Sequence, residues 1–574
     1  MIFKKKTKVK ESNVAEVSKE SLEKKVNIKF TIIAVLAIII FSAVLAPITL
    51  QNDTYYTIKI GEHIINTKTI DMVDPFSWHN DLAYTYPHWL YDVFIYLVYA
   101  IAGMKGIFIS TVILSSILGV VMYFTNCKIS KNKLVSFLVT LGAMYLMKGF
   151  IAARAQLVTF ILFELAILCI ENFLEKKKIR YAVEIIIIST LIANIHCAVW
   201  PFLFILFMPY IGEYLVFSVI DFYPIYRVLI VWNKLKLKKY QKKNDEVNIK
   251  KIDEKIERIN KNHQIELEEK EEKRKNPYRI RYNKNSACKW LILIMIICAF
   301  TGLLTPLGDT PYTYLVKTMQ GNTTKSISEH LPLTLINNKP ILIVLTATIA
   351  MLIFTKVKIT LKDLFMLAGL TLLMFMSRRQ ASMLVLFGSA IVAKMIASLF
   401  EKYDEKGTKR VEKGIVTVLG IVTVFAITAL FAVAQIKPKV NDKFVNANNY
   451  PVEAAKWIKE NLDVDNIKLY NEYNYGSYLL FEGIPVFIDS RADLYAPEFN
   501  KRVGEEKGRD IFSDYINTSQ ISTYYENTFE KYGITHVILY KNVKTNLFLS
   551  RDKNYKELYS DDRFVIYERL TADK

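Results

Sequence analysis

Acidic, imidazole and aromatic side chains are crowded into the polar stretch that follows the first apolar run of this chain. Asp53 comes just after the apolar run 31–50, and His88 lies further along the same stretch. A carboxylate at a membrane surface can take a proton from a hydroxyl group, so Asp53 is a candidate general base and His88 a candidate substrate-binding residue. The structural alternative is an interfacial belt of aromatic residues with a turn at Asp74 and Pro75.

Basic residues form a second set, at positions where the alternation of apolar spans predicts the outer membrane face. They are Lys148, Arg154, Arg378 and Arg379. Cations normally concentrate on the cytoplasmic side, so cations on the other side predict an anionic ligand. A lipid phosphate or pyrophosphate suits them, because a guanidinium group binds phosphate with two parallel hydrogen bonds. The alternative is ion pairing with loop carboxylates such as Asp309 or Glu329, and Glu329 therefore belongs to the same candidate site.

An acid also stands in the middle of an apolar run. Glu164 lies within the segment 160–167, whose other residues are all apolar. A charge at the centre of a membrane helix costs about 2.5–3.5 kcal/mol, so such a residue usually has a partner or a role. A proton relay is one interpretation, and a neutral side chain hydrogen-bonded between helices is the other.

A third group of charges follows a strand-like segment near the C-terminus. Asp489, Arg491 and Asp493 succeed the apolar residues 485–488. Loops after strands often bind ligands in α/β sheets, but an internal Asp–Arg pair that holds the loop is the simpler interpretation. The sequence contains no nucleotide, zinc-protease or dinucleotide motif, so the cofactor is unknown, and a divalent metal ion remains an open alternative.

The elements that must position these residues are membrane helices. Of the 574 residues, 52% are hydrophobic, and they are grouped in blocks. A hydrocarbon core of about 30 Å requires roughly 20 apolar residues in helical form, because unpaired backbone amides are too costly in lipid. We predict eleven spans, at 31–50, 106–125, 135–151, 156–173, 181–196, 200–220, 288–305, 339–355, 361–376, 381–399 and 414–434.

The distribution of charge predicts how these spans are oriented. The net charge is +20, and most basic residues adjoin apolar blocks on the predicted cytoplasmic side, which favours membrane lipids over nucleic acid as the anionic partner. The domain prediction is a cytoplasmic basic tail at 1–30, a transmembrane domain at 31–434 and an extracytoplasmic domain at 435–574. The transmembrane domain includes an outer loop at 51–105 and a charged cytoplasmic insert at 227–287.

Two segments outside the bilayer have their own predicted structure. The insert 227–287 alternates acidic and basic residues, as a solvated helix with i,i+4 pairs does. The C-terminal segment alternates an amphipathic helix at 452–461 with extended stretches, which predicts a small α/β domain. The extended stretches are 467–470, 485–489, 533–540 and 564–567.

Several short motifs occur in an order that resembles a group of largely uncharacterised bacterial multi-pass proteins, whose architecture is similar to that of the GT-C glycosyltransferases. That class includes the protein mannosyltransferases, and the resemblance runs nearly end to end. The motifs are Asp53-Thr54-Tyr55-Tyr56, Val73-Asp74-Pro75-Phe76-Ser77-Trp78, Pro87-His88-Trp89-Leu90, Arg154-Ala155-Gln156, Asn194-Ile195-His196, Thr305-Pro306-Leu307-Gly308, Ile327-Ser328-Glu329, Arg378-Arg379-Gln380 and 485–495. Gln51 stands where the family has a first loop acid.

The resemblance implies an α-helical polytopic membrane protein with a small C-terminal extracytoplasmic α/β domain. It also implies inverting transfer of a sugar from a polyprenyl-phosphate donor to an extracytoplasmic acceptor, with Asp53 as base and the outer arginines on the phosphate. The alternatives are a lipid or solute transporter or flippase, which Glu164 motivates, and a non-catalytic envelope scaffold. A shared active site requires Asp53, Arg154 and the arginine pair to meet in one cavity, whereas a scaffold does not.

Overall fold

The computed structural model describes residues 2–221, 224–275, 280–281, 285–321, 323–355, 357–404, 406–501 and 505–570. The helices are α1 Ile2–Ala43, α2 Asn52–Thr67, α3 Trp89–Ser130, α4 Lys133–Leu146, α5 Ala155–Lys176, α6 Ile179–Ile195, α7 Phe202–Asp221, α8 Pro224–Gln241, α9 Glu246–Lys275, α10 Cys288–Thr301, α11 Thr310–Gln320, α12 Thr323–Ser326, α13 Lys339–Phe354, α14 Leu361–Met376, α15 Ala381–Tyr403, α16 Gly407–Ile415, α17 Val418–Ile436, α18 Val452–Asn461, α19 Tyr473–Phe481, α20 Ile511–Ser519, α21 Tyr525–Tyr532 and α22 Lys544–Leu549. The strands are β1 Ile280–Arg281, β2 Ile359–Thr360, β3 Leu469–Tyr470, β4 His536–Tyr540, β5 Tyr555–Ser560 and β6 Phe564–Arg569.

The prediction of a multi-pass helical membrane protein is confirmed. Each of the eleven predicted spans overlaps a helix, although α1 ends at Ala43 and not at residue 50, and within the described residues seven helices are long and apolar enough to cross a bilayer. The apolar helices α10 and α13 are shorter. On α17, Val418 and Leu419 are 81% and 77% exposed, as side chains that face lipid are. Apolar blocks of this length become helices because the helix satisfies its own backbone hydrogen bonds.

A helical part at 89–102 precedes the second predicted span, and a kink separates the two within α3. The kink lies at Gly103, which departs from helical geometry with φ 60° and ψ −154°. A positive φ is strained for residues with a side chain, and glycine adopts it without that cost. Gly103 therefore allows the first part of α3, which carries Asp92, to take its own direction near the end of the bundle.

Polar contacts fix three of the spans to one another. Asn126 on α3 donates to Thr140 on α4 at 2.9 Å, and Ser389 on α15 donates to Asn126 at 3.1 Å. All three side chains are buried among apolar neighbours. Hydrogen bonds between helices satisfy polar groups that would otherwise be stranded in hydrocarbon, so this network fixes the relative position of α3, α4 and α15.

The charged insert is a helical hairpin rather than the one solvated helix that its sequence suggested. Helices α8 and α9 are separated by a turn at 242–245, where Asn244 has φ 49°. Ile252, Ile256 and Ile259 of α9 are half-buried at helical spacing. An apolar stripe of this kind gives α9 a face that packs against α8, and the charged residues cover the other faces.

The C-terminal α/β unit, here called the C-terminal domain, consists of α18–α22 and a four-stranded sheet in the order β3-β4-β6-β5. Strands β3 and β4 are parallel, and the other pairs are antiparallel. The predicted extended stretches 467–470 and 533–540 contain β3 and β4, and the stretch 564–567 lies within β6, whereas β5 was not predicted. The stretch 485–489 is not a strand, because the Asn471 side chain takes the place of a strand partner by accepting from Phe487 N at 2.9 Å and donating to Ile488 O at 2.6 Å.

The predicted outer loop is largely structured and is part of the same core as the C-terminal domain. It contains α2, which packs against α19. Ser77 forms an isolated parallel bridge with Val486, and the Trp78 indole N–H donates to Leu469 O at 2.9 Å. Apolar residues from the loop and the domain form one continuous buried cluster, so the two parts position each other.

His79 lies at the junction of the outer loop and the C-terminal domain, and its burial predicts how acid affects the stability of the protein. Its Nε2 is 2.8 Å from Phe487 O, and burial lowers its pKa to about 4. The pKa of His79 is lower in the folded protein than in the unfolded chain. The contribution of the neutral imidazole to stability is therefore complete above about pH 6.5 and is lost as the pH falls toward 4. We expect a loss of up to about 3 kcal/mol in the free energy of unfolding, measured by thermal unfolding of the purified protein.

The matched variant is His79→Asn, which keeps an N–H donor for Phe487 O and removes the titrating group. Its unfolding temperature should fall less steeply than that of the wild type between pH 7 and pH 4.5. Equal slopes for the two proteins would contradict the assignment of this acid sensitivity to His79.

Candidate functional site

A cavity of about 840 Å³ lies where the helix bundle meets the C-terminal domain. Its walls come from α2, the segment 83–88, the start of α5, the loop before α13, the turn after α14 and the loop 490–494. Seven of the sequence-predicted site residues line this cavity. They are Asp53, His88, Arg154, Glu329, Arg379, Arg491 and Asp493.

A second cavity of about 370 Å³ adjoins the first. The two share five lining residues, which are Arg154, Gln156, Ser328, Glu329 and Arg379. The second cavity adds Arg378 and the apolar side chains of Leu146, Phe150, Leu333 and Ile341. The C-terminal domain therefore contributes residues to the first cavity but none to the second, and the shared cationic residues Arg154 and Arg379 stand between them.

Asp53 is held in the first turn of α2. The helix begins at Asn52, and the exposed backbone N–H groups of a helix N-terminus stabilise a carboxylate placed there. The Asp53 Oδ2 is 2.9 Å from Arg154 Nη2, and about a quarter of each side chain is exposed. Asn52 donates to Tyr473 O at 2.9 Å, which fixes this turn to the C-terminal domain.

Arg154 is the N-cap residue of α5, with an extended backbone at φ −132° and ψ 153°. Its Nη1 is 3.5 Å from Glu329 Oε1, so one guanidinium joins two carboxylates from distant parts of the chain. Burial acts to lower the pKa of Arg154, but Asp53 and Glu329 raise it above its ordinary value. Its Nε is buried and has no hydrogen-bond partner among the described residues.

His88 belongs to a short relay beside Asp53. Its Nδ1 is 2.7 Å from Asp92 Oδ1, and its Nε2 is 3.1 Å from the Tyr56 hydroxyl. Both contacts are satisfied when Nδ1–H donates to Asp92 and Nε2 accepts from Tyr56. Burial, with Asp53 nearby, raises the pKa of Tyr56, which keeps its hydroxyl protonated. Asp92 and Tyr56 were not predicted as site residues, although the i,i+4 spacing of His88 and Asp92 was a usable signal.

The loop that carries Glu329 is tied to the turn that carries the arginine pair. Arg379 N donates to Glu329 O at 3.0 Å, and Arg378 N donates to Leu331 O at 2.9 Å. The side chain of Arg378 is exposed, and its Nε donates weakly to Pro332 O at 3.4 Å. The Arg379 guanidinium lines both cavities and makes no hydrogen bond or ion pair within the described residues. Arg379 is therefore the cation most available to a ligand.

The loop after the strand-like segment has the internal pair that its sequence suggested. Arg491 donates to Asp489 from Nε at 2.9 Å and from Nη2 at 2.6 Å. Its Nη1 reaches Asp74 Oδ1 at 2.6 Å, a partner that was not predicted. The Tyr495 hydroxyl also donates to Asp489 at 2.7 Å. This guanidinium is saturated by protein groups, and Asp489 lines neither cavity.

Asp493 differs from its neighbours because it faces the cavity. Its carboxyl group accepts a hydrogen bond from the Tyr314 hydroxyl of α11, which ties this loop to the bundle. Burial raises the pKa of Asp493, and the Tyr314 contact opposes that effect. Tyr314 was not predicted, because nothing in the sequence relates it to a residue 179 positions away.

Besides Asp489, two more predicted residues line neither cavity. Glu164 is buried within α5, and its Oε2 has no hydrogen-bond partner in the described part of the chain. Lys148 donates to Gln435 at 2.8 Å and lines neither cavity. Among the described residues no group of three potential metal ligands occurs.

Two solved structures share the fold of this chain. The archaeal oligosaccharyltransferase AglB from Archaeoglobus fulgidus, in complex with an inhibitory peptide and a dolichol-phosphate, is 13% identical with a TM-score of 0.52, over 89% of this chain and 69% of that chain. The Archaeoglobus fulgidus oligosaccharyltransferase tethered by a disulfide bond to an acceptor peptide containing the NVT sequon gives the same identity and coverage with a TM-score of 0.51. No protein-family model and no curated protein matches the sequence. The likeness confirms the predicted GT-C-like fold.

Proposed function

We propose that this protein is a membrane glycosyltransferase that moves a sugar from a polyprenyl-phosphate donor to an acceptor outside the cytoplasm. The observation that carries the proposal is the convergence of Asp53, Arg154 and Arg379 on one cavity that opens into a second, partly apolar cavity. The fold is that of a glycosyltransferase that has been solved with a dolichol-phosphate, which makes a lipid-linked donor a consistent choice.

The second cavity is the proposed donor site. A polyprenyl phosphate has a hydrocarbon chain and an anionic head, and this cavity combines Leu146, Phe150 and Ile341 with the arginine pair. Arg379 has its guanidinium unengaged by protein groups, so it can bind the phosphate with two hydrogen bonds. As the bond between the sugar and the phosphate breaks, the same guanidinium stabilises the charge that develops on the leaving phosphate.

The larger cavity is the proposed acceptor site. Asp53 faces this cavity from α2 and would accept the proton of the acceptor group. At the same time the oxygen or nitrogen of the acceptor would form a bond to the anomeric carbon of the sugar. Attack from the face opposite the departing phosphate inverts the configuration at that carbon. His88 is held by Asp92 and Tyr56 on the same wall, where it can position the sugar or the acceptor.

The proposal includes an orientation in the membrane. The basic tail 1–30, the turns between spans and the insert 227–287 would lie in the cytoplasm, as the excess of basic residues there favours. The cavities and the C-terminal domain 435–574 would then lie outside. Glu164 motivated the alternative of a transporter. Because Glu164 lines neither cavity, it gives that alternative no support.

The arginine pair gives a direct test of the donor site. In the purified protein, we expect Arg379→Ala to weaken the binding of a short polyprenyl phosphate by about tenfold or more, since a charge-assisted hydrogen bond contributes about 1.5–3 kcal/mol. Arg378→Ala should have a smaller effect, because that side chain is exposed. Isothermal titration in detergent measures both.

Lys148→Ala is the matched control for this experiment. Lys148 is a cation predicted on the same membrane face, but it contacts Gln435 and lies outside both cavities. It should leave the dissociation constant unchanged. Equal weakening by Lys148→Ala and Arg379→Ala would indicate general charge attraction and would contradict a built phosphate site.

A further inference from the structure

Two carboxylates in the proposed active site share a single positive charge that is built into the chain. Asp53 comes from α2 and Glu329 from the loop before α13, and both contact the guanidinium of Arg154, at 2.9 Å and 3.5 Å. Such convergent carboxylates usually hold a divalent cation in an enzyme that handles phosphate. Here the position between them is taken by an arginine side chain.

With the Arg154 guanidinium in place, the two carboxylates do not fit a divalent metal ion. Magnesium requires about six oxygen ligands in near-octahedral geometry at about 2.0–2.1 Å, of which one or two are commonly protein carboxylates and the rest water or phosphate oxygens. Here the guanidinium contacts the carboxylate oxygens of both Asp53 and Glu329 that such an ion would use. An ion that bound both Asp53 and Glu329 would have to displace the guanidinium between them, and a bound divalent ion next to it would be repelled by its charge.

We infer that Arg154 is the resident cation of this site and that the protein binds no divalent metal ion between Asp53 and Glu329. The two ion pairs are observed in the structure, so the inference rests on the proposed function only for the identity of the substrate. Arg154 is fixed by its position as the N-cap residue of α5, which is itself a largely buried helix. The cation is therefore always present and does not depend on a metal supply.

The position of Arg154 indicates what else this residue does. Arg154 lines both cavities, and it therefore stands where the proposed donor and acceptor sites meet. Its guanidinium contacts Asp53 at 2.9 Å, so it can hold that carboxylate in position for the acceptor.

The test uses Mn²⁺ as a probe of the full-length protein in detergent, with bound ion measured by electron paramagnetic resonance. Wild-type protein should show no Mn²⁺ binding that depends on Asp53. Arg154→Met removes the charge but keeps an unbranched side chain, and at the same free Mn²⁺ concentration it should hold at least about tenfold more Asp53-dependent Mn²⁺ than the wild type, since two carboxylates are then freed to bind the ion together with water. The double variant with Asp53→Asn should lose the gained binding.

Two further proteins control for folding and charge. Arg379→Met removes a cation from the same cavity but leaves Asp53 and Glu329 paired, so it should gain no binding. Arg154→Lys keeps a charge at the site and should also gain none. If Arg154→Met is too unstable to purify, the comparison of wild type with Asp53→Asn still decides, because an Asp53-dependent Mn²⁺ site in the wild type overturns the inference.

Absence of any gained site in a folded Arg154→Met protein would also overturn it, since the two carboxylates would then not form a cation site. Binding of Mn²⁺ is measured without substrate. Failure of sugar transfer in every assay would therefore reject the proposed function and leave the result on Arg154 unaffected, so the two can fail separately.

Discussion

Replacing Asp53 by Asn is expected to reduce sugar transfer by about 10²- to 10⁴-fold, which is the usual contribution of a positioned general base. An amide has nearly the same shape as the carboxylate and can still accept a hydrogen bond from Arg154, so the site should keep its geometry. What is lost is the group that takes the acceptor's proton. The measurement compares envelope glycans of cells that carry the variant with those of wild-type and deletion strains.

The matched control is Glu62→Gln, on the same helix. Glu62 pairs with Lys59 at 2.5 Å and lines neither cavity, so this change removes a carboxylate from α2 without touching the site. It should leave the glycans at wild-type level. Equal membrane abundance of the two variants is required for the comparison. Full transfer by Asp53→Asn would exclude Asp53 as the base.

The membrane architecture could be predicted because its cause is local. A block of about 20 apolar residues must become a helix in lipid whatever surrounds it, and the positions of α5 and α17 follow from that rule alone. The limit of the rule appears at Gly103, where a kink divides α3 at a point that apolar block length does not locate. A single glycine can kink a helix or end it, and packing decides between the two.

The charged residues of the site were found because they stand where charges are rare. Arg154 and Arg379 interrupt apolar stretches on the predicted outer side, and Asp53 follows a span directly, so each was an exception that required a reason. The same logic singled out Glu164, which is buried but lines neither cavity. The cost of a buried acid is a local property, whereas its use depends on which helices surround it.

Partners brought together only by tertiary folding could not be predicted. The pairing of Tyr314 with Asp493 and of Asp74 with Arg491 joins residues far apart in sequence. No periodicity relates such positions. The stretch 485–489 shows the same limit, because its apolar pattern is that of a strand, while the Asn471 side chain satisfies its backbone instead of a neighbouring strand.

Replacing Arg491 by Met is expected to have the largest effect on stability of any single change considered for this protein. The guanidinium joins Asp74 in the first loop to Asp489 in the C-terminal domain, with distances of 2.6 Å, and the three side chains are between 0% and 2% exposed. Removing it leaves two buried carboxylates without a counter-charge, which costs about 3–5 kcal/mol. Thermal unfolding of the purified protein, or its abundance in membranes, measures the loss.

The cause of that loss can be separated from lost packing. Arg491 also lies over the rings of Phe76 and Tyr84, at 5.4 Å and 5.0 Å from their centroids, so truncation removes contacts as well as charge.

Adding Asp74→Asn and Asp489→Asn to Arg491→Met removes the stranded charges, and it should recover part of the stability. The exposed Arg551→Met is the control and should change little. If the triple variant is no more stable than Arg491→Met, packing dominates. If it recovers, the buried ion pairs are what fix the C-terminal domain over the cavity, and the placement of Asp493 and Tyr473 beside Asp53 depends on them.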